Sequence, residues 1–333
     1  MFLHTFHPSP VLAAFGPLAI HWYGLLLVVG GVAAYLVSRK LFAKAGVALA
    51  LLDELLFPLI VAGFVGARAY HVVNEWWYYW QRPLEVFAVW RGGLAIHGAL
   101  IGGLVALVWF IRNNPKVVTG RDLSLQFLYL ADLLAPGFAL GQAIGRWGNY
   151  FNQELYGLPT GVSWGIPIEL LKRVAGFEQY NFFHPTFLYE SAWLFVVFII
   201  LFGLLRYRLR PPQFLGVHWT PVASRPLQIA REGTIERYLP LTRFAQARAR
   251  RGEAKARRAK GEREGVSPGR VFFLYLILAG LGRFVMEFFR IDAMPLVAGI
   301  RLQQLVSALL VVMGMCGWWW INQRLKNPKI VLG

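Results

Sequence analysis

Several charged side chains lie inside or directly beside long apolar runs of this sequence. Such a position costs roughly 2.5 to 3.5 kcal/mol when the run crosses a membrane. The segment GRWGNYFNQELYG, residues 145–157, places Arg146 just after one run. A later run carries Arg283, Glu287 and Arg290 at i, i+4 and i+7, which predicts that the three share one helical face. Two arginines favour a phosphate-bearing anion, because a guanidinium is a planar fork that keeps its proton. An ion pair that only fixes helix packing is the structural alternative.

Other polar residues near the ends of the apolar runs fit the same chemistry. Histidine titrates near neutral pH, so His97 in RGGLAIHGALIGG is a candidate general base, with a hydrogen-bonded core histidine as the alternative. Glu190 follows the start of the run that opens HPTFLYES, and Tyr23 lies in HWYG. Asn149 and Glu154 would hold an arginine or a polar headgroup, unless they serve only to satisfy a helix end.

The composition indicates an all-α polytopic membrane protein. Hydrophobic residues make up 57% of the 333 positions and charged residues 15%, against about 25% charged in soluble domains. The apolar runs reach about 20 residues, enough for a helix to cross a hydrocarbon layer of roughly 30 Å. Cys316 is the only cysteine, which excludes an intramolecular disulfide. With no HExxH motif or compact His, Asp and Glu spacing, no metal or cofactor is expected.

Seven membrane spans are predicted, and basic residues orient them. The spans are expected at about residues 17–38, 51–73, 93–111, 122–142, 186–205, 271–290 and 302–321. No Lys or Arg precedes Arg39, and the connections after the first, third and fifth spans and the tail are basic, so the positive-inside rule predicts an outer N-terminus and a cytoplasmic C-terminus. This topology gathers the polar candidates in the outer half of the membrane.

Two outer segments are predicted to flank the spans. Residues 74–93, NEWWYYWQRPLEVFAVWRGG, are rich in Trp and Tyr, so they should form an arm at the membrane surface, either as an ordinary aromatic belt or as a guide for substrate. Residues 143–185 should form a small extracytoplasmic cap. Helices one to five, with arm and cap, would then occupy residues 1–205, and the last two helices and tail residues 271–333.

The segment between them, residues 206–270, is strongly basic. It contains sixteen Lys and Arg against five Asp and Glu, within a chain of net charge +17. A solvated, flexible cytoplasmic insertion is the first interpretation. Attraction to anionic inner-leaflet lipids is the second, and nucleic-acid binding is a distant third that we do not expect.

The ordered motifs resemble one family, the bacterial prolipoprotein diacylglyceryl transferases. GRWGNYFNQELYG is similar to the family signature, and GGLAIHGALIGG, HPTFLYES, GLGRFVMEFFR and HWYG resemble further family segments over about 280 residues. The resemblance implies transfer of the diacylglyceryl group of phosphatidylglycerol to the lipobox cysteine of a preprolipoprotein in the bacterial inner membrane. It also implies a seven-helix body. One departure is the long connection before the sixth span, which the family has in a short form.

The resemblance also implies roles for individual residues. Arg146 and Arg283 would bind the lipid phosphate near the outer leaflet, with His97, Glu287 and Tyr23 taking part in catalysis. The expected substrate-binding residues are Arg146, Asn149, Glu154, Gly157, Gly98 and Glu190. Gly98 also begins a Gly-xxx-Gly spacing that suits helix packing. A transporter for an anionic solute and a non-catalytic lipid-binding scaffold are the alternative functions.

Overall fold

Helices dominate the structure, which is a computed structural model. It describes residues 2–16, 18–89, 92–114, 123–208, 268–292, 296–297 and 299–326. Most of the predicted basic insertion, residues 209–267, therefore lies outside the described residues. The helices are α1 Phe2–Thr5, α2 Trp22–Ala45, α3 Leu49–Asn74, α4 Trp76–Gln81, α5 Ile96–Asn113, α6 Leu123–Asn152, α7 Thr186–Arg208, α8 Arg270–Met286 and α9 Leu302–Lys326.

Five of these helices, α2, α3, α6, α7 and α9, are long and apolar enough to cross a membrane. The chain is thus a multi-pass membrane protein, as its composition predicts. Helices α5 and α8 are shorter, with 18 and 17 residues, and they occupy the third and sixth predicted spans. Their crossing of the membrane stays a prediction.

Three predicted boundaries differ from the structure. The first span was expected from residue 17, but β1 (Val11–Phe15) and β2 (Leu18–His21) form an antiparallel hairpin there, so the helix starts only at Trp22. Helix α6 continues beyond residue 142 to Asn152, through Pro136, so the polar signature begins on a helix and not in a loop. Helix α8 ends at Met286, four residues before the predicted end.

The structure also contains two further pairs of short strands, which the all-α prediction did not include. β3 (Ile166–Pro167) pairs with β4 (Phe182–Phe183) inside the cap, and β5 (Leu296–Val297) pairs with β6 (Ile300–Arg301) just before α9. These pairs are local antiparallel ribbons, and the architecture remains mostly helical.

The main apolar core lies in the half of the helices away from the polar signature. It joins the end of α2, the start of α3 and α6, and the end of α5 and α7, where Phe42, Leu55 and Leu133 are fully buried. Helix α2 packs on α6, α3 on α5, α6 on α7, and α8 on α9. Apolar packing therefore holds the helices together in this half, and the polar residues lie at the opposite ends of the helices.

Asp132, in the first third of α6, lies in this core and not in the polar site. Its buried carboxylate accepts hydrogen bonds from the backbone N–H groups of Gly269 (2.7 Å) and Phe272 (2.6 Å). Those groups belong to the first turn of α8, whose N–H groups have no partner within the helix. A side chain from another helix thus caps α8.

Glycine contacts set the distance between paired helices. A Cβ on Gly66 of α3 would lie 2.3 Å from the carbonyl oxygen of Gly98, and a Cβ on Gly98 of α5 would lie 2.1 Å from that of Gly66. Gly30 and Gly141 meet in the same way between α2 and α6. Small residues allow such close approach of membrane helices.

The predicted arm consists of α4 and a 3-10 turn, Pro83–Phe87. Its apolar side chains are largely exposed, among them Trp77 (79%) and Leu84 (84%). Buried Arg68 of α3 fixes the arm by donating to the carbonyl oxygens of Val86, Glu85, Gly92 and Gly93 at 2.6 to 3.1 Å. These carbonyl partners offset the cost of burying the guanidinium group.

The cap follows α6 and has a small apolar core of its own. Tyr156, Ile166, Ile168 and Phe183 are buried in it. The Tyr156 hydroxyl donates to the carbonyl oxygen of Lys172 and accepts from the N–H of Val174, and burial raises the pKa of this phenol. The cap is therefore a packed unit seated on the end of the helices.

Candidate active site

Glu190 of α7 is the point where the predicted arginines meet. Its side chain is 6% exposed, and its two oxygens pair with different helices. Arg146 Nε of α6 lies 2.7 Å from Oε2, and Arg283 Nη1 of α8 lies 2.6 Å from Oε1. One carboxylate thus holds two guanidinium groups side by side. Its negative charge offsets the repulsion between the two positive charges.

A second carboxylate extends the arrangement. Glu287, which is fully buried, pairs with Arg283 Nη2 through Oε2 (2.9 Å) and with Arg301 Nη1 through Oε1 (3.2 Å). The order Arg146, Glu190, Arg283, Glu287, Arg301 alternates in charge, and we call it the arginine–carboxylate row. It joins α6, α7, α8 and β6, so four distant parts of the sequence build it.

Arg290 reaches the row by a different route from the one predicted. Because α8 ends at Met286, Arg290 does not share a helical face with Arg283 and Glu287. It forms an isolated antiparallel bridge with Gly157, and its buried side chain pairs with Asp292 (Nε to Oδ1, 2.7 Å) and with Glu190 (3.6 Å). The prediction of one shared face is wrong, although the three side chains do converge.

The signature residues after Arg146 form the end of α6 and the turn that leaves it. Asn149 Nδ2 donates to Glu154 Oε1 (2.8 Å), and the Glu154 N–H donates to the Asn149 carbonyl. Gln153 and Leu155 have φ of 54°, a strained conformation for residues other than glycine. The helix-end alternative considered for Asn149 and Glu154 therefore matches the geometry, while a contact with substrate stays a prediction.

Gln153 ties this turn to its surroundings. Its buried amide donates to the Pro8 carbonyl (2.9 Å) and to Glu169 (2.8 Å), and its oxygen accepts from the Glu169 N–H (2.8 Å). The N-terminal segment and the cap are thus held against the end of α6. Part of the polar density of the signature therefore consists of an amide that is buried and fully hydrogen-bonded within the protein.

Tyr23 lies beside Arg146 because the signature carries a glycine there. A Cβ on Gly148 would be 2.5 Å from the Tyr23 ring, so only glycine lets this ring lie on α6. Tyr23 is 36% exposed and within electrostatic range of Arg146 and Glu154. The structure therefore places Tyr23 next to the signature, and its part in catalysis stays a prediction.

His97 stands at the start of α5, on the other side of the site. Its ring lies 5.7 Å from that of Tyr70, and its Nε2 lies 3.5 Å from the amide nitrogen of Gln303. Gln303 belongs to the first turn of α9, two residues after Arg301. His97 thus lies against the start of α9, the helix that directly follows Arg301.

Both predicted glycines are used for backbone packing. Gly98 contacts Gly66, as described above. Gly157 lies where the cap crosses the turn after α8: its N–H donates to the His184 carbonyl, and a Cβ there would be 2.9 Å from the Phe289 carbonyl. The close approach expected at Gly157 is an approach to protein backbone, and substrate contacts of either glycine remain predictions.

Arg301 and Gln303 belong to the site although none of the sequence motifs indicates them. The one signal for Arg301 is its charge immediately before the last apolar run. Among the described residues, no group of three or more His, Cys, Asp and Glu is arranged to hold a metal ion.

Comparisons with known proteins connect this geometry to one family. The family model described as prolipoprotein diacylglyceryl transferase matches residues 10–220 and 255–320. Proteins named phosphatidylglycerol–prolipoprotein diacylglyceryl transferase are similar over nearly the whole chain. The one from Parasynechococcus marenigrum is 35% identical over 97% of both chains, and the one from Gloeobacter violaceus is 35% identical over 95% of this chain and 94% of its own. These matches confirm the resemblance seen in the motifs, and the chain belongs to the prolipoprotein diacylglyceryl transferase family.

Proposed function

We propose that this chain transfers the diacylglyceryl group of phosphatidylglycerol to the lipobox cysteine of a preprolipoprotein. The products are a thioether-linked lipoprotein precursor and glycerol phosphate. The relatives' names specify this donor and this acceptor. The observation that carries the proposal is the arginine–carboxylate row, in which two guanidinium groups are fixed on one carboxylate at the ends of membrane helices.

The row suits a phosphodiester. In the described part of the chain, Arg146 pairs with a carboxylate through Nε, which leaves its terminal nitrogens for a phosphate. Arg146 and Arg283 are 26% and 20% exposed, so they are accessible from one side although their carboxylates are buried. Glu190 and Glu287 then act by orienting arginines. This is a change from the substrate contact first expected of Glu190.

The reaction is a substitution at the glyceryl carbon. The thiolate sulfur forms a bond to that carbon, and the bond from carbon to the phosphate oxygen breaks with its electron pair on the oxygen. The thiol must first lose its proton, because few thiols are ionised at neutral pH. His97 would take that proton, and Arg146 and Arg283 would stabilise the charge on the leaving phosphate.

Three further residues complete the proposed site. Asn149 and Glu154 hold the turn that carries the signature, at the edge of the site where a glycerol headgroup would lie. Tyr23, placed by Gly148, would contact the same headgroup. Tyrosine, asparagine and carboxylate groups all bind hydroxyl groups by hydrogen bonds, which suits a glycerol headgroup.

The proposed topology has seven spans in the bacterial inner membrane, with the N-terminus outside and the C-terminus in the cytoplasm. The short helices α5 and α8 would be the third and sixth spans. The arm, with its exposed Trp and Leu side chains, would lie in the outer headgroup region and contact membrane lipids.

The test is transfer by the purified protein. With phosphatidylglycerol and a lipobox peptide, it should release glycerol phosphate and yield a lipidated peptide in equal amounts. A peptide with Ser in place of the lipobox Cys should give neither product. Arg146→Ala should reduce transfer by at least about 100-fold, because it removes a preorganised cation from the reacting phosphate. Arg82→Ala is the matched control, since Arg82 is an exposed arginine on the arm that stacks on Tyr78.

The outcomes separate the alternative functions. Binding of phosphatidylglycerol without headgroup release would indicate a scaffold. Uptake of a labelled anion into proteoliposomes without lipid turnover would indicate a transporter. Full transfer by the Arg146→Ala protein would contradict the phosphate-binding assignment.

A further inference from the structure

We propose that Arg301 is a third phosphate-binding arginine, which contacts the phosphate as the donor lipid is cleaved. The inference rests on the proposed function and adds a residue to its site. It starts from the two ends of the arginine–carboxylate row. Within the described residues, Arg283 in the middle pairs with two carboxylates, whereas Arg146 and Arg301 at the ends each pair with one.

The exposed fraction of each arginine side chain decreases as its number of carboxylate partners increases. Arg146 and Arg301 are 26% and 27% exposed, Arg283 is 20% exposed and Arg290 only 2%. The cations with fewer carboxylate partners are therefore the more exposed ones. Arg301 equals Arg146 in both respects, although only Arg146 lies in the polar signature.

The charges of the cluster point to Arg301 as well. Among the described residues that ion pairs connect, Arg146, Arg283 and Arg290 are matched by three carboxylates, on Glu190, Glu287 and Asp292. With Arg301 included, four arginines face three carboxylates, so the cluster carries one net positive charge. Loss of Arg301 would leave the cluster neutral and remove its net attraction for a singly charged phosphodiester.

The location of Arg301 fits this role. It ends the β5–β6 hairpin, whose turn contains Gly299 with φ of 79°, and it immediately precedes α9. Arg301 and Arg283 bind the two oxygens of the same carboxylate, so their guanidinium groups face one region. Through Gln303, the same segment reaches His97. The segment that carries Arg301 thus contacts both the proposed base and the carboxylate shared with Arg283.

The proposed reaction predicts that Arg301 stabilises charge in the transition state. When the bond from carbon to phosphate oxygen breaks, the phosphate changes from a singly to a doubly charged group. A third cation beside it stabilises the second charge as it develops. Arg301 should then matter for binding of the released glycerol phosphate and for kcat, and less for binding of the peptide.

The experiment compares Arg301→Gln, Arg301→Lys and the control Arg82→Gln in the full-length protein. The inhibition constant of glycerol phosphate should rise about 10- to 100-fold in Arg301→Gln, as expected for loss of a hydrogen bond to a charged group. Arg301→Lys should lie between it and wild type, since it keeps the charge but not the fork. Arg82→Gln should match wild type, because it removes an outer positive charge away from the cluster.

Three results would overturn the inference. One is a wild-type inhibition constant and kcat in Arg301→Gln. Another is a shift confined to the pH profile for the peptide thiol, which would assign Arg301 to activation of the nucleophile. If Arg301→Gln does not fold, a wild-type inhibition constant in Arg301→Lys is the third. Absence of glycerol phosphate release by wild type would instead refute the proposed function itself.

Discussion

Replacing Glu190 with glutamine is the perturbation that the structure defines best. The amide has the shape of the carboxylate but lacks its charge, and it can accept at one atom only. It therefore keeps one of the two short contacts, to Arg146 or to Arg283, and places an N–H donor opposite the other guanidinium. We expect Glu190→Gln to loosen both arginines without creating a cavity.

The size of the effect follows from the contacts. A hydrogen bond to a charged group contributes about 1.5 to 3 kcal/mol, and loss of one partner of a buried pair costs about 3 to 5 kcal/mol. Arg146 and Arg283 keep some access to solvent, so the lower part of this range applies, at about 3 kcal/mol in the free energy of unfolding. Misdirected guanidinium groups should also lower kcat by about 100-fold, which corresponds to nearly 3 kcal/mol in the barrier.

The assay is release of glycerol phosphate under saturating donor, together with thermal unfolding in detergent. Because an extra positive charge remains, KM for phosphatidylglycerol should stay the same or fall while kcat falls. That split distinguishes an orienting residue from one that binds the headgroup, whose loss would raise KM. Wild-type kcat in a stably folded Glu190→Gln protein would refute the role of Glu190 as the fixed point of both arginines.

Three other substitutions test separate parts of the structure. Gly148→Ala should displace the Tyr23 ring and reduce transfer at least about 10-fold, whereas Ala would otherwise favour a helix by up to about 1 kcal/mol; transfer rate and thermal stability measured together check this. Asp132→Asn should lower the free energy of unfolding by about 1 to 3 kcal/mol, seen as a lower Tm in detergent, because one backbone N–H at the start of α8 loses its acceptor. Arg68→Gln should expose the arm to limited proteolysis within residues 82–93, and an unchanged cleavage pattern would argue against its role in fixing the arm.

The helices were largely predictable, because apolar length is a local property of the sequence. The misplaced boundaries have non-local causes. The hairpin of β1 and β2 occupies residues 11–21, so α2 begins only at Trp22. Its strands contain the same types of apolar residue as a membrane span, so composition does not distinguish the two. Helix α6 extends to Asn152 because the N-terminal segment and the cap hold its last turns, and composition alone does not reveal either contact.

The site was predictable as a set of residues but not as a set of contacts. Arg146, Glu190, Arg283 and Glu287 were identified because they are charged residues within or beside apolar runs. A charge in such a position has a high energetic cost, so it indicates a functional or structural partner. Residue spacing alone does not show that one carboxylate of α7 pairs with two arginines. It also hid Arg301, whose partner Glu287 lies fourteen residues earlier, across a turn and a hairpin.

The alternating order of charge explains how several arginines coexist near a membrane. Two guanidinium groups side by side repel each other strongly where water is scarce, and each shared carboxylate offsets that repulsion while it fixes both partners. Full neutralisation would leave no attraction for a phosphate, so the cluster needs a cation in excess at an accessible end. The apolar core in the opposite half keeps the helices in place, so the row can hold this excess charge without moving apart when the lipid leaves. If the row binds the phosphate as proposed, it would stabilise the second charge that develops in the transition state beyond the single charge of the bound donor, and that difference would lower the barrier.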